Sequence, residues 1–111
     1  MGSIRVLWLL LPLAAAGFAQ ADDEAMIDLA WDSGCFNCHD LDKTLRGPAW
    51  RDVAKRYHDA DEAVFERLVA KVRDGGRGNW GDEAMSANRR VPEEDIRTLV
   101  DWILRLEPSD P

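Results

Sequence analysis

Five consecutive residues, Cys35-Phe36-Asn37-Cys38-His39, bring together side chains able to do chemistry. Two thiols two residues apart can each add across a vinyl group of one porphyrin, and the imidazole directly after the second is placed to hold the iron. Three side chains would then fix one cofactor. Other chemistries use the same residues. A thioredoxin-type redox pair has this spacing, but it belongs at a strand-to-helix junction in a βαβ pattern, and no strand-like run lies near. Structural zinc needs four ligands, and the chain offers Cys35, Cys38, His39 and the distant His58. A disulfide between Cys35 and Cys38 would close a strained, tight loop and leave His39 without a role. Haem attachment uses all three side chains. It also requires a pocket, a second iron ligand and an export route.

Two methionines lie beyond the first residue. Met26 is nine residues before Cys35 on an element leading into the attachment site, which suits packing. Met85 lies in the loop Gly75 to Asn88, too rich in glycine for helix or regular strand. A thioether bound to iron would tie that loop across the second face of a haem and give it a reason to be ordered. Taken alone, these residues leave ligation and simple packing both open for Met85. His58, between Tyr57 and Asp59, reads as a surface histidine.

The elements that must position these groups read as helices. Arg5 followed by the apolar run Val6 to Ala16 is too short to span a bilayer, and Ala19-Gln20-Ala21 fits the small-x-small pattern cut by signal peptidase. We therefore expect residues 1–21 to be a signal peptide cleaved after Ala21, against the alternative of an uncleaved anchor, and residues 22–111 to be one domain. A first helix is expected from Asp22, with Ile27, Ala30 and Trp31 at helical spacing, ending at Gly34. After His39 comes the turn Gly47-Pro48 and a short helix, Ala49 to Tyr57. A carbonyl in that turn is positioned to accept the Nδ1 proton of His39, although a Gly-Pro pair is by itself only a turn. A third helix, from about Asp61 to Asp74, carries Val64, Phe65, Leu68, Val69 and Val72 on one face, with Glu62, Glu66, Arg67, Lys71 and Arg73 away from it. The last begins at Pro92 and buries Ile96, Leu99, Val100, Ile103 and Leu106, with Trp102 beside them.

Without residues 1–21 the chain keeps 90 of its 111 residues, enough for one domain but few for a self-sufficient core. A buried haem would complete it. Arg5 is the only charged residue removed, so the formal charge moves from −7 to −8. That balance argues against nucleic acid and against adsorption to anionic lipid. It suits a basic docking partner or simple solubility.

In order along the chain stand Gly34-Cys35-x-x-Cys38-His39, Gly47-Pro48-Ala49-Trp50-Arg51-Asp52-Val53-Ala54, Gly78-x-Trp80-Gly81-x-x-x-Met85-x-x-Asn88 and a closing amphipathic helix. With these the sequence resembles a class I c-type cytochrome, most closely the small bacterial c-551/c-552 type, over nearly all of residues 22–111. The resemblance implies an all-α cytochrome c fold of about four short helices packed around one covalently bound haem c. It implies Cys35 and Cys38 as thioether anchors, with His39 and Met85 as axial ligands of the iron. It further implies that the Pro48 carbonyl takes the His39 ring proton, that the Trp80 indole bonds a haem propionate and that Asn88 bonds near the Met85 sulfur. Prolines commonly flank the ligand methionine in this family, whereas Ala84 and Ser86-Ala87 stand here, which bears on loop rigidity. The implied function is a periplasmic, monomeric electron carrier exchanging single electrons with redox proteins, not an enzyme, and without stable membrane insertion once the signal is cut. Two other functions fit the same residues: a haem subunit of a larger periplasmic oxidoreductase, and a haem sensor or peroxidase with a labile sixth ligand.

Overall fold

The computed structural model describes residues 2–10 and 16–111, and for residues 16–21 the backbone alone. Residues 2–10 form no regular element, and Ile4, Val6, Leu7, Trp8, Leu9 and Leu10 are all exposed. Residues 11–15 of the apolar run, and the side chains at the expected Ala19-Gln20-Ala21 cut, lie outside the described residues.

Four α-helices follow: α1 Ala16–Asp32, α2 Trp50–Arg56, α3 Glu62–Asp74 and α4 Glu93–Leu104, with a single 3₁₀ turn over Cys35–Asn37. The fold is all-α. No helix among the described residues is long and apolar enough to cross a membrane. Helix α1 starts six residues before the expected Asp22, because Ala19, Gln20 and Ala21 favour helix and no proline intervenes. At the head of α3 the Asp61 carboxylate accepts from the Val64 N–H at 2.9 Å, capping the first turn. Pro92 caps α4 from outside, followed by Glu93, Glu94 and Asp95 at the positive end of the helix dipole.

Helix α4 packs on all three others. Its Leu99, Trp102 and Ile103 meet Ala30 of α1 and Trp50 of α2, while Ile96 and Val100 meet Val69 of α3. Trp102 is fully part of this core, and its Nε1–H donates to Asp23 Oδ1 at 2.8 Å, tying α4 to α1. Leu106, expected on the buried face, is half-buried at the edge of the first cluster, beyond the last helical turn.

Trp31 departs from its expected place. Ala30 takes the inward position with no exposure, and the next residue on a helix lies about 100° round the axis. Trp31 is therefore 62% exposed and leans on Phe36, ring centroids 4.8 Å apart. The ion pairs lie outside: Arg97 of α4 meets both carboxylate oxygens of Glu66 on α3, at 2.8 and 2.7 Å.

Among large side chains only Ile96 and Val69 are fully enclosed in the described residues. Leu68 and Val72, expected as part of a core that includes the haem, are half-buried: they pack against Val69, Ile96 and Val100 and also line a cavity. The apolar stripe of α3 thus serves partly as a wall, and what fills the cavity completes the core.

Candidate haem-binding site

Helix α1 ends at Gly34, left-handed at φ 78°, and the chain enters the 3₁₀ turn. Both the Cys38 and His39 N–H groups donate to the Cys35 carbonyl, at 3.2 and 3.0 Å. This single turn brings Cys35, Cys38 and His39 to one cavity while Phe36 packs on Trp31 and Trp50. The segment after His39 folds back on itself: Gly47 N–H donates to Cys38 O at 2.8 Å, and Trp50 N–H to Asp40 O at 2.9 Å.

His39 is held from three directions. Its Nδ1 lies 2.8 Å from the Pro48 carbonyl, which can only accept, so Nδ1 carries the proton and Nε2 keeps a free lone pair. Trp50, itself buried, stacks on the ring at 5.5 Å between centroids. Gly47 closes the third side, because a Cβ at that position would stand 2.7 Å from Nδ1 and 2.9 Å from Nε2. Any side chain there would displace the imidazole. Burial holds the His39 pKa below its ordinary value, while the Pro48 bond pulls the other way, so the ring is neutral near pH 7, the form that binds iron.

Burial pushes the Cys35 thiol up, outweighing a backbone hydrogen bond that lowers it. That is the reverse of what activates a thiol in a redox pair. Cys35 and Cys38 form no disulfide with each other. Among the described residues no group of three His, Cys, Asp or Glu side chains is arranged to hold a metal ion such as zinc, and His58 lies exposed with its nitrogens against Lys55 O and Asp59.

The second candidate ligand reaches the same cavity on a differently built loop. Gly76 N–H donates to Met85 O at 3.0 Å and Met85 N–H to Gly76 O at 2.7 Å, closing residues 77–84 into a loop. Gly75, at φ 74°, leaves room for this, since a Cβ would meet Met85 O at 2.5 Å. Asn88 fastens the far end to α3: its backbone N–H donates to Arg73 O at 3.1 Å, and its side-chain amide to Val72 O and Ser86 O at 2.9 and 3.2 Å. Both amide protons are thereby used on carbonyls, so in this structure Asn88 acts on the backbone around Met85. Trp80 lines the cavity with Met85, and the Arg56 guanidinium lies over its ring at 3.4 Å while Nη1 donates to Asn79 O at 2.6 Å.

The cavity measures about 470 Å³ and is walled by the attachment segment, α2, α3, the Met85 loop and α4. This falls in the range of roughly 300–1,000 Å³ usual for cofactor sites. Its lining suits a haem: apolar Val53, Leu68, Val72 and Leu104 for the ring, cationic Arg46, Lys71 and Arg77 for carboxylates. Lys71 was expected on the outer face of α3. It follows Leu68 by three residues, which puts both on one side of the helix, and its long stem lies along the wall. Arg56 was not singled out in the sequence, and Gly47 was read there as part of the Gly47-Pro48 turn and not as a wall of the His39 ring. The contact of Arg56 crosses 24 residues to Trp80.

Fold and site together define a small all-α protein built to hold a covalent haem. A family model for cytochrome c matches residues 24–107. Cytochrome c-551 of Allochromatium vinosum is 51% identical over 78 residues, covering 70% of this chain and 82% of that protein. Cytochrome c-552 of Nitrosomonas europaea is 40% identical over 95 residues, covering 86% and 87%. The crystal structure of wild-type Nitrosomonas europaea cytochrome c552 superposes with a TM-score of 0.67 at 35% identity, covering 72% of this chain and 98% of that one. The chain belongs to the cytochrome c family, as a class I c-type cytochrome of the c-551/c-552 type. With membership come a covalently bound haem c and its iron, and a place in electron transport.

Proposed function

We propose that the mature chain is a periplasmic, monomeric carrier of single electrons, with haem c attached through Cys35 and Cys38 and its iron held between His39 and Met85. The observation that carries this is that both candidate ligands line one cavity. When bound, the haem supplies a one-electron iron couple whose ferrous form a neutral imidazole and a soft thioether favour. The chain's own part is to hold still. Pro48 keeps the His39 proton on Nδ1, Gly47 and Trp50 fix the plane of the ring, and the Gly76 bridge and Asn88 hold Met85 in register. With His39 and Met85 both given to the iron, no open position would be left for a substrate, which suits a carrier and not an enzyme. Trp80 is assigned to a haem propionate, beside the cations of the cavity wall.

Export follows the same reading: residues 1–21 act as a signal peptide cut after Ala21, leaving the domain 22–111. In support, Ile4 and Val6 to Leu10 have no place in the core. The cut would also leave Asp22, Asp23 and Glu24 at the positive end of a shortened α1.

The deciding measurement is the visible spectrum of the mature protein, oxidised and reduced, with and without carbon monoxide. A low-spin c-type spectrum with the iron-to-sulfur charge-transfer band, indifferent to carbon monoxide, is expected. Met85→Ala should lose that band and give high-spin or substituted iron. An unchanged spectrum in that variant refutes Met85, and a wild-type spectrum that shifts with carbon monoxide refutes the carrier.

A further inference from the structure

Trp31 does not line the cavity, yet it is joined to the cavity wall by ring contacts. Its ring lies 4.8 Å from Phe36, Phe36 lies 5.1 Å from Trp50, and Trp50 stacks at 5.5 Å on His39. A single exposed apolar residue on a protein surface is ordinary. What sets this one apart is that a large aromatic group, 62% exposed, stands at the outer end of a chain of ring contacts, two tilted and one stacked, that starts on the candidate iron ligand.

The charge on its own helix has one sign. Helix α1 carries Asp22, Asp23, Glu24, Asp28 and Asp32 and no basic residue. Asp23 is taken by Trp102, but Asp28, one turn before Trp31, and Asp32, next to it, are exposed. An apolar anchor with an acidic rim is complementary to an apolar patch with a basic rim, and tryptophan is a frequent anchor of protein interfaces.

We propose that Trp31 and Phe36, flanked by Asp28 and Asp32, form a docking face for a basic redox protein, so that electrons cross by way of the ring contacts leading to His39. The proposal rests on the carrier reading given above. In each productive encounter one electron changes hands: the donor protein is oxidised by one and this chain reduced by one, or the reverse. No bond is made and no proton moves. The contact is small and short-lived, its rate governed by charge and so by salt.

The test uses the mature haem-loaded protein, ¹⁵N-labelled, with a lysine-rich mitochondrial cytochrome c in its zinc-substituted form. The photoexcited triplet of that probe gives one electron to the oxidised chain, leaving a porphyrin radical cation. At low salt the Trp31 Nε1–H and the amides of residues 28–36 should shift on titration, and the shifts should vanish at about 0.5 M salt, where screening is nearly complete. Trp31→Ala should slow triplet quenching about tenfold, with the visible spectrum and reduction potential unchanged, and Trp31→Phe should restore most of the rate. Asp28→Asn with Asp32→Asn should slow it about threefold at low salt and leave it unchanged at high salt. Shifts confined to residues 76–88, or a Trp31→Ala variant that quenches at the wild-type rate, would overturn the docking face while leaving the carrier intact. An iron open to carbon monoxide is seen in the spectrum alone and would overturn the carrier, and this face with it.

Discussion

The two segments that bring candidate iron ligands to the cavity are built in opposite ways. Around His39 the chain is pinned by a carbonyl, a stacked indole and a glycine that tolerates no side chain, all close in sequence or buried. Around Met85 most residues are exposed, and the hold consists of one backbone bridge, one asparagine and one arginine from α2. Both place a candidate ligand, but the first does so by packing and the second by a few polar ties. A segment fixed by packing resists change at every contact, whereas one fixed by ties changes in steps as each tie is removed.

The sharpest break is on the packed side. Cys35→Ala with Cys38→Ala should abolish covalent haem, seen as loss of haem from the polypeptide on a denaturing gel, and should leave the chain largely unfolded by circular dichroism, because so little of the core is enclosed without it. Retained covalent haem would sink the assignment. Gly47→Ala comes next: the added methyl meets the His39 ring, and overpacking at such a contact costs about 3 kcal/mol. The thermal midpoint should fall and the reduced spectrum should change, and a near-native variant would mean that the ring is not confined as described.

The tied side should yield by smaller steps. Asn88→Ala leaves the Val72 and Ser86 carbonyls without their donor, a loss of about 1–2 kcal/mol that falls on the loop. Added imidazole or cyanide should then displace Met85 about tenfold more readily, with the proximal contacts unchanged by NMR. Arg56→Ala should act in the same direction and more weakly, since its contact with Trp80 is exposed. Equal effects on the two sides would erase the distinction.

The smallest effect lies far from either ligand. Arg97 holds the Glu66 carboxylate below the usual carboxylate range, chiefly through its hydrogen bonds. A depressed folded-state pKa stabilises above the unfolded value near about 4.3 and is lost as the pH falls through the folded one. Glu66→Gln should therefore lower the thermal midpoint slightly at pH 7, the difference closing as the pH falls through the folded-state pKa of Glu66. A difference that grew in acid would contradict the sign.

Much of the fold was legible because it rests on spacing. Asp61, Gly75 and Pro92 mark ends of α3 and α4, and Ile96, Leu99, Val100 and Ile103 repeat with the helix. Trp31 misled because an apolar residue beside a periodic stripe has no sequence mark telling inside from outside. Lys71 misled in the other direction, since a charged head is read as outward even when its stem lies along an apolar wall. The bond from Trp102 to Asp23 spans 79 residues and that of Asn88 to Val72 spans 16. Pairings at such separations depend on how the helices are set against one another, which periodicity does not encode. Of the candidate site, the five-residue attachment motif and the glycine-rich loop stood out in the sequence, and the contacts that hold them still did not.

The bridge between Gly76 and Met85 makes the exposed tip of the loop separable from its base. Chain added between Gly81 and Asp82, both exposed and just past Trp80, would lengthen a ring whose ends are already tied, and doubling such a ring costs only about 0.6 kcal/mol in closure entropy. The tip is thus a place where an epitope, a surface anchor or a partner-specific segment could be grafted while the residue at the base keeps its register.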